Sequence, residues 1–255
     1  MSTARLHATE DGPVDAPVLV LGPSLGTDVG LFDAQVAAFA GSHRVIRYDL
    51  RGHGGSEVVA GPCTMADLAG DVVALLDRLG VDRFSYAGVS IGGAIGQQLA
   101  LTVPERLEKL AIIASAAQFA DPPSWSKRAQ QVREQGTESL VASRTGTWFT
   151  AEWAAAHPVE AERLLDMLRA TPAEGYAACC EAIGAFDVRD RLGEISAATV
   201  AIAGAEDPAT TGEMVRFLAE NIPGAQFVVV PGAAHLPNAT HADEVNTALR
   251  EHLGV

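Results

Sequence analysis

The chain has 255 residues, 48% of them apolar and 20% charged, a balance typical of a folded globular protein. Its 18 basic and 32 acidic side chains leave a formal net charge of −14, which argues against nucleic acid or an anionic membrane as a partner. No stretch is apolar for long enough to span a bilayer, and residues 1–13 lack the apolar core of a secretory signal. The three cysteines, Cys63, Cys179 and Cys180, are odd in number with two adjacent, so they suggest neither a disulfide framework nor a zinc site. The expectation is a cytoplasmic protein with no metal or cofactor, acting on a small molecule.

In chain order, APVLVLGPS (Ala16 to Ser24) reads as a buried strand and LFDAQVAAFA as a short helix. HRVIRYDL (His43 to Leu50) is a second strand. Thr64 stands as an N-cap with Asp67 three residues on. Met65, Leu68, Ala69, Val72, Leu75, Leu76 and Leu79 follow at helical spacing, and Gly80 ends the run. RFSYAGVS is the next strand, Ile91 to Val103 a helix stopped by Pro104, and Lys109 to Ala116 another strand. The alternation resumes with TVAIAGAED (strand), TGEMVRFLAENIP (helix), AQFVVVPGAAH (strand) and HADEVNTALREHL (helix). Strands alternating with helices predict an α/β fold, a mostly parallel sheet with helices on both faces.

Residues 119–190 break this rhythm. The segment holds no convincing strand, carries Trp125, Trp148 and Trp153, and contains helical patterns such as EAERLLDMLRA. Its plainer reading is a few surface helices. The sharper one is a helical cap inserted into a core made of residues 1–118 and 191–255. A cap following the C-terminal end of a strand would cover the place where open α/β sheets bind ligands.

The chemistry points to Ser90 in Gly88-Val89-Ser90-Ile91-Gly92. A nucleophilic serine needs exposure, a base and donors for an oxyanion. A turn between strand and helix supplies the exposure, and glycines leave room where the two elements crowd. A lone G-x-S-x-G is weak, and a tight structural turn is its ordinary explanation. Two partners follow in the chain order expected of this architecture, each on a loop after a strand. Asp207 in AGAEDPAT is the acid, with neighbouring Glu206 as its rival, and His235 in PGAAH is the base. His241 reads instead as a solvated first-turn residue. The oxyanion donors would be the amide of Ile91 at the helix N-terminus and that of Leu25 in GPSLGTD, where Pro23 cannot donate. Ser24 is either a substrate contact or a turn former. YDLRGHGGS, with His53, lacks phosphate-loop spacing and reads as a turn packed near the site.

Together GVSIGG, YDLRGHGGS, AGAEDPAT and AAHLPN resemble the motifs of the α/β-hydrolase superfamily. SLGTDVGLFDAQV, RVIRYDLRGHGGSE, WFTAEWAAAHP and TPAEGYAACCEAI resemble, more narrowly, the 3-oxoadipate enol-lactonases. Pro23, Ile91 and Thr147 depart from that pattern, which often has Asn, Met and Arg there. The resemblance implies an α/β-hydrolase fold and hydrolysis of a lactone of the β-ketoadipate pathway. Either Ser90 forms an acyl-enzyme or His235 activates water directly. It also implies a cation in the cap for the substrate carboxylate. Arg128, Arg133 and Arg144 are available, and Arg133 is the choice. Trp125 and Trp148 would line the pocket or anchor the cap. Another serine esterase, perhydrolase-like enzyme or C–C hydrolase, or a hydrolase-fold ligand receptor, would share most of these features.

Overall fold

The computed structural model describes residues 3–255. Seven strands form one sheet. They are β1 (Ala8–Asp11), β2 (Val18–Gly22), β3 (Arg44–Tyr48), β4 (Phe84–Val89), β5 (Leu107–Ile113), β6 (Ala198–Gly204) and β7 (Gln226–Val230). Their spatial order is β1-β3-β2-β4-β5-β6-β7. All neighbours are parallel except β1, which runs antiparallel to β3. Every residue of β4 is buried, Ser85 included, as a strand packed on both faces requires.

The helices are α1 (Asp33–Phe39), α2 (Met65–Arg78), α3 (Ile91–Thr102), α4 (Pro122–Gln135), α5 (Glu138–Val141), α6 (Ala151–Ala156), α7 (Pro158–Ala170), α8 (Ala173–Ala185), α9 (Gly212–Asn221), α10 (Pro237–Thr240) and α11 (Ala242–Leu253). The start of α2 follows from its capping box. Asp67 N–H donates to Thr64 Oγ1 at 3.1 Å, and Thr64 N–H donates back to Asp67 Oδ2 at 2.9 Å. Its buried face is Met65, Leu68, Ala69, Val72, Leu75 and Leu76.

Two elements lie outside the sequence expectations. Strand β1 (ATED) is a polar edge strand whose partners, not its own pattern, make it a strand. Helix α10 is a single turn begun by Pro237. The anticipated strands are also longer in the sequence reading than in the fold, because apolar runs continue into the loops.

Helices α4 to α8 lie between β5 and β6 and include no strand beyond isolated bridges at Gln118–Asp187 and Thr145–Phe149. They are bound tightly to the sheet-bearing part. His235 N–H donates to Thr147 O at 3.1 Å and Leu236 N–H to Trp148 O at 2.9 Å. Gly175 at the start of α8 lies against the backbone of Gly52, where a Cβ on either residue would collide with the other.

Candidate active site

Parallel strands deliver their C-terminal ends to one edge of the sheet, and the loops leaving β2, β4, β6 and β7 meet there. Ser90 follows β4 and caps α3 with φ 58° and ψ −117°, a conformation that an L-residue holds only at a cost of about 1–3 kcal/mol. The fold fixes it from both sides. Ser90 N–H donates to Ile113 O at 2.9 Å, and its carbonyl accepts from Ser115 Oγ at 2.7 Å. Gly92 sits against Gly22 O and Pro23 O, so any side chain there would push α3 away from the loop after β2. Tyr86 OH donates to Gly92 O at 3.0 Å and ties the first turn of α3 to β4.

Asp207 and His235 are brought together across the loops after β6 and β7, with His235 Nδ1 2.8 Å from Asp207 Oδ2. A carboxylate can only accept, so Nδ1 carries the proton and Nε2 is left as the basic nitrogen. Three further donors hold the carboxylate. Thr210 Oγ1 donates to Oδ2 at 2.6 Å, while Ala209 N–H and Thr210 N–H donate to Oδ1 at 2.8 and 3.1 Å. Burial alone would push the Asp207 carboxyl up. The charge of His235 and the bonds from His235 and Thr210 outweigh it and hold the carboxyl below its ordinary value. Glu206, the rival acid, is exposed and has no bond to His235. His241 bonds Thr240 Oγ1 and stands apart.

Ser90 and His235 line one cavity of about 320 Å³. Leu25 and Ser24 form part of its wall. The Leu25 amide has no acceptor among the described residues, and the Ile91 amide is the first of α3 and so has none within the helix. His53 braces the Leu25 loop from behind. Its Nε2 accepts from Gly26 N–H at 3.1 Å and its Nδ1–H donates to Arg51 O at 3.1 Å. Burial pushes His53 down to about 4, so it stays neutral in this role.

A family profile described as the alpha/beta hydrolase fold matches residues 17–242. The chain belongs to the alpha/beta hydrolase fold family. It is 39% identical over 93% of its length, and 89% of the relative's, to 3-oxoadipate enol-lactonase 2 of Acinetobacter baylyi. Among solved structures it resembles the enol-lactonase of Burkholderia xenovorans LB400 at a TM-score of 0.96 and 38% identity, covering 99% of this chain and 97% of that one. A thermophilic esterase from Thermogutta terrifontis matches at a TM-score of 0.92 and 29% identity, covering 98% and 93% of the two chains.

Within this hydrolase fold residues from the segment between β5 and β6 line part of the cavity, and here the structure departs from one expectation. Arg133 is not on the cavity wall. Its guanidinium is taken up by two carboxylates of α8, with Nε 2.9 Å from Glu174 Oε2 and Nη1 2.5 Å from Glu181 Oε1. The reason is position: Arg133 falls on the face of α4 that packs along α8. Arg128 and Arg144 line the cavity instead. Trp125 and Trp148 line it too, Trp125 packed edge-on against Phe119 and Trp148 buried.

Sequence reasoning missed Thr210 and Tyr176. Thr210 was findable, because Asp-Pro-Ala-Thr is a turn in which the aspartate oxygens accept from the amides two and three residues on. Tyr176 lines the cavity from α8 and stacks at 6.5 Å on His53, a pairing between distant segments with no local signal. Among the described residues no group of His, Cys, Asp and Glu could hold a metal, and no helix is long and apolar enough to cross a membrane.

Proposed function

We propose that this hydrolase opens 3-oxoadipate enol-lactone, a five-membered enol ester with a carboxymethyl arm, to 3-oxoadipate in the β-ketoadipate route of aromatic catabolism. The observation that carries the reading is the placement of Ser90, at the strained head of α3, in one cavity with a His235 already bonded through Nδ1 to Asp207. The likeness to enol-lactonases supports the substrate, since a match over 93% of the chain runs through the insertion as well as the core. A cytoplasmic setting accords with three free, buried cysteines.

In this mechanism Ser90 Oγ attacks the lactone carbonyl as His235 Nε2 takes its proton. The oxyanion is met by the Leu25 and Ile91 amides, which are fixed before the reaction begins. Collapse breaks the ring C–O bond and the enolate leaves, taking a proton to become the ketone. Water, deprotonated by His235, attacks the acyl-enzyme and releases Ser90 with the second carboxylate. Asp207 keeps the imidazole in the productive tautomer and stabilises the imidazolium formed twice per turnover.

A general carboxylesterase is the second reading, favoured by the similar fold of the Thermogutta esterase. Relative kcat/KM on the enol-lactone and on p-nitrophenyl acetate separates the two. The proposal expects the lactone to be preferred. Preference for the simple ester would assign the chain to the esterases.

A further inference from the structure

Hydrolysis leaves the cysteines unused, and two of the three are brought together from distant parts of the chain. Cys63 stands in the loop before α2, just ahead of the N-cap Thr64, and Cys179 lies in α8. Both are buried, Cys63 at 4% and Cys179 at 0% exposure. Cys63 Sγ donates to Ala178 O at 3.5 Å, and the Cys179 thiol donates to Cys63 Sγ. The two sulfurs are hydrogen-bonded neighbours, one from the sheet-bearing part and one from the segment between β5 and β6. Cys180 is the next residue of α8 and is turned about 100° round the helix. The charges around it are Arg128, Glu181, Arg133 and Arg144, whereas Arg51 is the cation beside Cys63 and Cys179.

The two neighbouring thiols are chemically unequal. The hydrogen bond from Cys179 and the charge of Arg51 hold the Cys63 thiol below its ordinary value, although burial opposes them. The same bond, together with burial, pushes Cys179 well above its own. Cys63 is the thiol suited to react first and Cys179 the one suited to resolve the product. The two sides of the contact also differ in freedom. Residues 58–63 make no backbone-to-backbone hydrogen bond among the described residues, and Val58 is 48% exposed. Gly61 holds φ 93° with open space where a Cβ would stand. A segment held this loosely opens locally while the rest stays folded, which admits a small oxidant to Cys63. Helix α8 is held instead by Gly175 against the backbone of Gly52 and by Tyr176 stacked on His53. The loop is therefore the side that moves when the sulfurs close to a bond of about 2.05 Å.

We propose that Cys63 and Cys179 form a peroxide-sensitive dithiol that closes to a disulfide and staples α8 to the loop before α2. The Cys63 thiolate attacks hydrogen peroxide. An S–O bond forms, the O–O bond breaks, and the hydroxide released takes a proton to become water. The Cys179 sulfur then attacks the sulfur of the Cys63 sulfenic acid. The S–S bond forms, the S–O bond breaks, and the departing hydroxide leaves as water with the Cys179 proton. Two thiols are oxidised by two electrons and one peroxide is reduced to two waters. A small thiol reverses the step by exchange. The staple does not depend on which ester the cavity takes.

The test treats the whole protein with hydrogen peroxide, removes the excess with catalase, unfolds it in iodoacetamide and maps the peptides by mass spectrometry. The expected product is a cross-link between the peptides of Cys63 and Cys179, two hydrogens lighter than their sum, with Cys180 alkylated as a free thiol. The cross-link should persist in Cys180→Ser and be absent in Cys63→Ala. Closing a loop of on the order of 100 residues should also raise the melting temperature by on the order of 10 °C. That comparison is made between oxidised protein and the same sample after dithiothreitol, a reagent that leaves any methionine sulfoxide in place. A Cys63 that stays a free thiol or ends as a sulfinic acid overturns the proposal. So does a bond to Cys180, or an oxidised protein that melts no higher than its reduced counterpart.

Discussion

His53 illustrates how a single buried residue ties the site to the stability of the fold. It is neutral because burial pushes it from 6.5 to about 4, and its Nε2 is engaged with the Gly26 amide. In the unfolded chain the same side chain titrates near its ordinary value of about 6.5. As pH falls from there toward 4, the unfolded state takes up a proton that the folded state does not, so folding loses stability through that window. At pH 4.5 the loss from this residue is about 2 kcal/mol relative to pH 7. Urea unfolding at both pH values should therefore reveal a smaller acid loss in His53→Gln than in wild type. Parallel losses would contradict the role assigned here. Asp207 behaves oppositely. Its lowered value adds stability above the usual carboxylate range, and that contribution disappears as pH falls through its folded value.

At the scale of elements, α2 is the segment whose sequence and structure agree most fully. Its capping box, apolar stripe and terminal glycine are all local signals. Thr64→Ala removes the side-chain acceptor of the Asp67 amide and should cost about 1 kcal/mol. In a protein of this size that lowers the melting temperature by roughly 2–4 °C. Turnover at room temperature should be unchanged, because Thr64 does not line the cavity. A calorimetric scan with no shift would contradict this reading of the cap. The elbow of β4, Ser90 and α3 was legible for the same reason, since glycines at fixed offsets mark the close approach of strand and helix. Strand β1 and helix α10 were not legible, because their backbone is recruited by neighbours distant in sequence. The direction in which each arginine of the insertion points was also hidden. Helical spacing places Arg133 on a face, but only packing against α8 decides that Glu174 and Glu181 claim it.

For the whole molecule, chain order gave the architecture. Strand and helix patterns predicted the parallel sheet, and the sheet places Ser90, Asp207 and His235 on loops at one edge. What pattern could not give is the meeting of the insertion with that edge. The bonds from His235 and Leu236 to Thr147 and Trp148 hold the His235 loop against the segment between β5 and β6, and Arg144 lines the cavity from that same segment. The core contributes Ser90, Asp207 and His235, and the segment between β5 and β6 contributes Arg128 and Arg144 to the cavity wall. The central claim is that Ser90 performs the chemistry on the enol-lactone. The most direct measurement follows the loss of ultraviolet absorbance of freshly prepared enol-lactone with the wild type and with Ser90→Ala. Rapid multiple turnover by the wild type and a fall in kcat on the order of 10⁴-fold or more in Ser90→Ala is the expected result. A Ser90→Ala variant that retains near-normal turnover, or a wild type that leaves the lactone untouched, would contradict it.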